Sequence, residues 1–252
     1  MIINKFLSLL NRYKTDLPTF TIVGVGPGVP SLLTIAAVDA IKKAKVIVFP
    51  VSNYNKKSFA AEIVKEYTKF KKNIPIIFPM ARKDFDPDEI WSNAAEKIVK
   101  FIKNGESVVL LCLGDTSIFA SSSNILRIIK HNYPVIITKT IPGISSLSAT
   151  AALNDFDLVK KGETLIIKEC PSSNSELTSL IKESRENKTV LAIMKIGKRW
   201  NLVRETLKKE DIIKKSLIAL NVGTPDQIIQ YASQYNKDVM PYFSLILIRF
   251  DQ

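Results

Sequence analysis

Five short segments combine glycine, proline and a few polar residues in a way that could hold a small ligand. In chain order they are Gly24-Val25-Gly26-Pro27-Gly28, Leu111-Cys112-Leu113-Gly114-Asp115-Thr116, Ile141-Pro142-Gly143-Ile144-Ser145-Ser146, Ala192-Ile193-Met194-Lys195-Ile196-Gly197-Lys198 and Asn221-Val222-Gly223-Thr224-Pro225-Asp226-Gln227. Each ends or follows an apolar run of strand length. Glycine lets the chain turn tightly and lets a ligand approach the backbone, and ligands of open α/β sheets sit at the carboxyl ends of strands. Asp115 stands at such an end. It is expected either to face a ligand or to form an Asx turn or N-cap for a helix around Ile118–Ile129, and the two roles are compatible.

The chemistry these segments could do is narrowed by what they lack. The first loop is not a dinucleotide fingerprint. Val29 stands where the third glycine belongs, Pro27 removes an N–H that a phosphate would use, and the second strand ends Val48-Phe49-Pro50 without a ribose-binding acid. It is not a phosphate-binding P-loop, because no Gly-Lys-Ser/Thr follows. The chain has one histidine, His131, which reads as a solvated helix end. Ser–His and Cys–His nucleophiles and histidine metal sites are therefore not expected. Two cysteines, Cys112 and Cys170, make neither a disulfide framework nor a cysteine metal cluster, and a reducing cytoplasm fits them.

The elements that must position these loops alternate. Strand-like runs at Phe20–Val25, Val46–Phe49, Ile74–Phe78, Val108–Leu113 and Val135–Ile137 are separated by helical patterns at Leu32–Lys43 and after Asp86-Pro87. The latter has an N-cap and an N1 proline, an apolar stripe of Ile90, Ala94, Ile98 and Phe101, and Gly105 past its end. Apolar strands alternating with helices predict a buried parallel sheet. Beyond Pro142-Gly143 a small-residue helix over 144–152 is expected. Strands at Thr164–Ile167, Thr189–Met194, Leu217–Val222 and Tyr242–Phe250 follow, with helices at Ser175–Ser184 and Trp200–Leu207. The polar stretch Ser233–Asp238 reads as a turn, so the second sheet is expected to be mixed. These patterns predict an N-terminal extension over 1–17, an α/β domain over 18–140 and a second α/β domain over 141–252.

The chain has 252 residues, 46% hydrophobic and 24% charged, which is ordinary for a folded protein of one or two domains. Its net charge of +12 favours an anionic partner or records a drift toward lysine. No apolar run approaches the roughly 20 residues that cross a bilayer, and the first 14 residues lack a small-residue cleavage site. Neither a membrane nor a secretory leader is expected.

Taken in order, the first loop with Leu33-Thr34 behind it, Gly114-Asp115, Pro142-Gly143-Ile144-Ser145-Ser146, Met194-Lys195-Ile196-Gly197 and Tyr242-Phe243-Ser244 resemble the tetrapyrrole methylase family over about residues 18–250. The segments Ile141–Ala149, Met194–Lys198 and Tyr242–Ser244 are most similar to its branch acting on C20 of precorrin-2 or cobalt-factor II. The family usually has aspartate after the first loop and proline after Gly-Asp; this chain has Val29 and Thr116.

The resemblance implies two α/β domains with S-adenosyl-L-methionine in the cleft between them, held largely by main chain. By position the cofactor residues would be Pro27, Leu113, Gly114, Asp115, Ile118, Ser145, Ser146, Met194 and Gly223. The substrate would be an anionic tetrapyrrole, steered by Arg82, Lys83, Lys195 and Lys198. A homodimer is expected, with no metal and no nucleic acid. Methyl transfer from a sulfonium to an electron-rich carbon needs alignment rather than a protein nucleophile. The base that takes the displaced proton is open among Asp115, Lys195 and solvent. A methylase acting at another ring carbon and a basic nucleic-acid-binding module are the alternatives.

Overall fold

In a computed structural model, residues 17–52, 57–78 and 86–250 are described. The chain divides into two compact units after Ile144 rather than after Thr140. The reason is local: Ile141 still pairs with Val23, and Gly143 packs on Gly24, so the Pro-Gly turn belongs to the first unit.

The first unit is a five-stranded parallel sheet of β1 (Thr19–Gly24), β2 (Val46–Val51), β3 (Lys72–Ile77), β4 (Val108–Cys112) and β5 (Ile137–Ile141), in the order β3-β2-β4-β1-β5. Strand alternation divides its core. Phe20 and Ile22 point to the face covered by α4 (Pro87–Lys103) and α5 (Ser122–Asn132). Val23 points to the face covered by α1 (Ile35–Lys43) and α2 (Phe59–Ile63), with α3 (Lys65–Thr68) beside them. A sheet buried on both faces explains why β1 and β4 read as continuous apolar runs. The caps are local. Thr34 Oγ1 accepts from Ala37 N–H at 3.1 Å, and Asp86 Oδ1 accepts from Asp88 N–H at 2.9 Å ahead of Pro87.

The second unit is a mixed sheet of β6 (Thr164–Glu169), β7 (Thr189–Met194), β8 (Ser216–Leu220), β9 (Ile228–Tyr231) and β10 (Ser244–Ile248), in the order β6-β7-β10-β8-β9. β10 runs antiparallel between β7 and β8. The helix α6 (Ser146–Leu153) opens the unit. Helices α7 (Asn174–Glu186) and α8 (Trp200–Lys209) pack Leu177, Ile181, Trp200 and Val203 against Ile193, Ile218 and Ile246. Trp200 is fully buried, meets Tyr235 edge-on at 5.7 Å and donates Nε1–H to Lys237 O at 3.0 Å, which ties down the polar stretch before β10.

Several sequence expectations need correction. The fifth strand is Ile137–Ile141, not Val135–Ile137, and Val135 is 90% exposed. It is an edge strand with Lys139 and Thr140 in solvent, so it carries little apolar signal. The helix expected from Leu32 starts at Ile35, because Pro30–Leu32 form a 3₁₀ turn and Thr34 is the cap. The helix placed around Ile118 starts at Ser122, so Asp115 caps no helix. The strand β9 and the short helices α2 and α3 were not expected. The N-terminal extension, apart from its last residue, lies outside the described residues.

Candidate active site

Three of the five glycine loops leave one edge of the first sheet together. β1 lies between β4 and β5, all parallel, so the loops after Gly24, Cys112 and Ile141 emerge side by side. They are bonded to each other. Gly26 N–H donates to Gly114 O at 3.2 Å, and Gly114 N–H returns a bond to Gly26 O at 2.8 Å. Both residues have φ of +75°, which glycine adopts without strain. The third loop fits only because two glycines meet. A Cβ on Gly24 would lie 2.5 Å from Gly143 N, and a Cβ on Gly143 would collide with Gly114 O.

Asp115 braces this crossing. Its Oδ2 accepts from Gly143 N–H at 3.1 Å, and its Oδ1 accepts from Ser117 N–H at 2.8 Å and from the Ser117 hydroxyl. Partial burial opposes its charge. Bonds from the Ser117 hydroxyl and from the N–H groups of Ser117, Gly143 and Thr116 outweigh that burial and hold the carboxyl below the usual aspartate range. The Asx-turn expectation describes this residue well, since both oxygens are spent on the loops. Around it Pro27 is buried, whereas Leu113, Gly114 and Ile118 are half-buried. Where a Cβ would project from Gly114, no protein atom lies within 4 Å. This edge therefore offers apolar surface and main-chain groups, the mixture that an adenosyl group fits.

Ser145 and Ser146 open the second unit. Ser145 Oγ accepts from Ser148 N–H at 3.1 Å and lies 3.0 Å from Ser148 Oγ, so this hydroxyl is an N-cap.

The other two loops converge on the start of β10. Lys195 N–H donates to Ser244 O at 2.9 Å, Asn221 N–H donates to Phe243 O at 2.8 Å, and Gly197 N–H donates to Ser244 Oγ at 3.0 Å. Tyr242-Phe243-Ser244 is thus the seam that joins the fourth and fifth loops. Lys195 and Asn221 both have left-handed backbones, with φ of +58° and +48°. Non-glycine residues seldom adopt that conformation, and it clusters at functional turns. Met194 is half-buried here, and Gly223, at φ +79°, donates its N–H to Gln227 Oε1 at 2.7 Å. Lys198 is exposed, while Lys195 pairs with Glu169 at 3.6 Å. Arg82 and Lys83 lie outside the described residues.

The structure thus gathers Pro27, Leu113, Gly114, Asp115 and Ile118 at one edge of the first unit, and Met194, Lys195, Lys198 and Gly223 at one edge of the second. Sequence reasoning missed Glu169 and Arg199, which stand beside Lys195. The signal was present only as charged residues at strand and turn ends. A cavity of about 310 Å³ lined by residues that include Phe156, Leu217, Ile229 and Tyr231 shares no residue with these loops.

Thiol chemistry does not suit the site. Both cysteines are buried, and burial raises Cys112 and pushes Cys170 up to about 11. Among the described residues, no group of three or more His, Cys, Asp or Glu side chains could hold a metal ion, and no helix is long and apolar enough to cross a membrane.

The chain is similar to known proteins in sequence and in fold. A probable cobalt-precorrin-2 C(20)-methyltransferase of Methanocaldococcus jannaschii is 36% identical over 145 residues, which span 58% of this chain and 61% of that relative's length. The cobalt-precorrin-2 C(20)-methyltransferase of Salmonella typhimurium is 23% identical over 90% of this chain and 94% of its own. The solved structure of a cobalt precorrin-4 methyltransferase superposes with a TM-score of 0.68 over 91% of this chain and 94% of that one, at 14% identity, a likeness of fold. The family model for tetrapyrrole (corrin/porphyrin) methylases matches residues 19–233, from the first residue of β1 past the last of β9, and the chain belongs to that family.

Proposed function

We propose that the protein is an S-adenosyl-L-methionine-dependent C-methyltransferase of corrin biosynthesis that methylates C20 of precorrin-2 or cobalt-factor II. The observation that carries the reading is the crossing of three glycine loops, braced by Asp115, on the parallel edge of a chain that belongs to the tetrapyrrole methylases. The C20 position is favoured by the relatives named for it, one of which aligns with 90% of this chain.

The cofactor, when bound, supplies a methyl group already activated on a sulfonium. The residues of this chain have to hold and orient. Main-chain groups at Gly114 and Leu113, the half-buried Ile118 and the buried Pro27 form the proposed adenosyl surface. Met194, Gly223 and Ser145-Ser146 are proposed as cofactor contacts on their resemblance to the family alone. Lys195 and Lys198 offset the carboxylates of the tetrapyrrole, which bears an acetate and a propionate on each pyrrole ring. Solvent is the proposed proton acceptor: the depressed pKa of Asp115 and its bonds to Gly143 and Ser117 leave it little basicity, and the Lys195 ammonium, paired with Glu169, offers donors and no acceptor. Cytoplasmic placement and a homodimer belong to the same reading, and sedimentation tests the latter.

The deciding experiment is incubation with labelled S-adenosyl-L-methionine and, separately, precorrin-2 and cobalt-factor II, with mass readout and NMR of the methylated carbon. Methylation at C20 supports the proposal. Methylation at another carbon moves the enzyme to a different branch. Lack of cofactor binding together with salt-sensitive binding to an oligonucleotide favours the basic nucleic-acid module instead.

A further inference from the structure

A charged cluster at the carboxyl edge of the second sheet goes beyond the residues assigned so far. Glu169 ends β6 and stands between two cations: Lys195 Nζ lies 3.6 Å from one carboxylate oxygen, and Arg199 Nη2 lies 3.5 Å from the other. These separations exceed those of tight charge-assisted hydrogen bonds, which run at about 2.7–2.9 Å. The Glu169 side chain is also 47% exposed. Its hold on the two cations is therefore loose and open to exchange with a dissolved anion.

The cations themselves are well placed. Lys195 takes its left-handed backbone turn directly after β7, fixed by its bond to Ser244. Arg199 is anchored by a hydrogen bond from Nη1 to Cys170 O, which leaves further guanidinium donors for a ligand. Tyr242 stands beside the turn that carries these cations: its Cα lies 3.8 Å from where a Cβ on Gly197 would project, and its ring meets Phe243 edge-on at 5.3 Å. Burial raises its pKa, with the charge of Glu169 adding to the rise and that of Arg199 opposing it, so the hydroxyl keeps its proton and is a donor. The neighbouring Lys168 is engaged with Glu176 at 3.3 Å. Lys195 and Arg199 thus share the Glu169 carboxylate, with exposed Lys198 next to Arg199 in sequence, a setting that suits a substrate carboxylate.

We propose that Lys195, Arg199 and Tyr242 form a binding site for one acetate or propionate group of the tetrapyrrole, and that Glu169 is the internal counterion which this carboxylate displaces. The site rests on the tetrapyrrole reading above. It makes an unusual demand of Glu169: a structural ion pair weakens binding when broken, whereas a displaced counterion strengthens it when removed.

The test titrates the full chain with cobalt-factor II by absorbance and with labelled S-adenosyl-L-methionine in parallel, and measures KM and kcat. Arg199→Met should weaken tetrapyrrole binding about tenfold, the value of one charge-assisted bond. Tyr242→Phe should weaken it several-fold, and Glu169→Gln should tighten it several-fold. The changes should fall on KM rather than kcat and leave cofactor affinity untouched. Arg199→Lys keeps the charge without the fork and should fall between parent and Arg199→Met. Should Arg199→Met fail to fold through loss of its bond to Cys170, the opposite signs of Tyr242→Phe and Glu169→Gln decide alone. Unchanged or weakened tetrapyrrole binding by a folded Glu169→Gln protein overturns the site while the enzyme reading stands. A parent protein that binds neither cobalt-factor II nor precorrin-2 overturns both.

Discussion

Asp115 and Gly143 stand 28 residues apart, and the carboxylate of the first accepts the backbone N–H of the second at 3.1 Å. That bond ties the loop after β4 to the loop after β5, with the loop after β1 held between them. Because the folded-state pKa of Asp115 is depressed, its contribution is present above the unfolded pKa and lost as pH falls through the folded value. Asp115→Asn keeps one acceptor and loses the charge. Solvent access limits the cost to about 1 kcal/mol at neutral pH. Urea midpoints should separate the variant from the parent at pH 7, and the gap should narrow as pH falls below the ordinary aspartate range; a constant gap would mean the charge is idle.

The glycines of the crossing should sort into two kinds. Gly24→Ala and Gly143→Ala each push a methyl group into backbone that cannot yield, and either change should cost about 3 kcal/mol or prevent folding. Gly114→Ala meets no protein atom within 4 Å and is penalised only by its φ of +75°, about 1 kcal/mol. A folded Gly114→Ala protein should therefore lose cofactor affinity by calorimetry. Parental affinity in that protein would remove Gly114 from the cofactor surface.

Arg249, only 3% exposed, pairs with Glu163 at 2.5 Å and donates to Asp157 O, pinning the segment before β6. Arg249→Met leaves the Glu163 carboxylate with only the Lys160 N–H and removes the donor to Asp157 O, and it should lower the melting temperature by several degrees. The bond from Arg249 depresses the pKa of Glu163, so its contribution holds above the ordinary glutamate range and fades as pH falls through the depressed value. A scan of melting temperature from pH 7 to pH 3 should fall more steeply for the parent than for the variant.

Neither cysteine should react with a thiol reagent at pH 8 in the folded protein, and both should react in denaturant. Cys170, at about 11, is almost wholly protonated there, and Cys112 is raised by the same burial. Rapid labelling of one thiol in the native state would mean that its strand end opens.

Tetrapyrrole binding should weaken steeply with salt, since exposed charges are screened over a Debye length of about 8 Å at physiological strength. Binding of S-adenosyl-L-methionine should hardly change. Lys198→Ala should raise KM for the tetrapyrrole at low salt and matter little at high salt. Salt-independent binding would return the +12 charge to compositional drift.

The sequence was most legible where burial is continuous. β4 and β7 are apolar along their lengths, and α4 carries its cap, its proline and its following glycine within one short stretch. It was least legible at edges. β5 and β9 have one free side and mix polar with apolar residues, so neither period stands out. The site divided in the same way. Loops built from local glycine and proline could be found in order, and their resemblance to one family gave the reading. The meeting of Gly24 with Gly143, and of Glu169 with Arg199, depends on strand order, which no local pattern encodes.

β10 is the middle strand of the second sheet, yet it is made after the four strands it joins. During synthesis, β7 and β8 leave the ribosome with the gap between them unfilled, their inner edges exposing unpaired backbone and apolar Ile193 and Ile218. Only when Ser244–Ile248 follows can the gap close. The second sheet can therefore close only once Ile248 has been made, while the parallel sheet of the first unit has all its strands available more than a hundred residues earlier. A stop codon or stalled ribosome just upstream of Ser244 would yield a folded first unit trailing an open, aggregation-prone sheet.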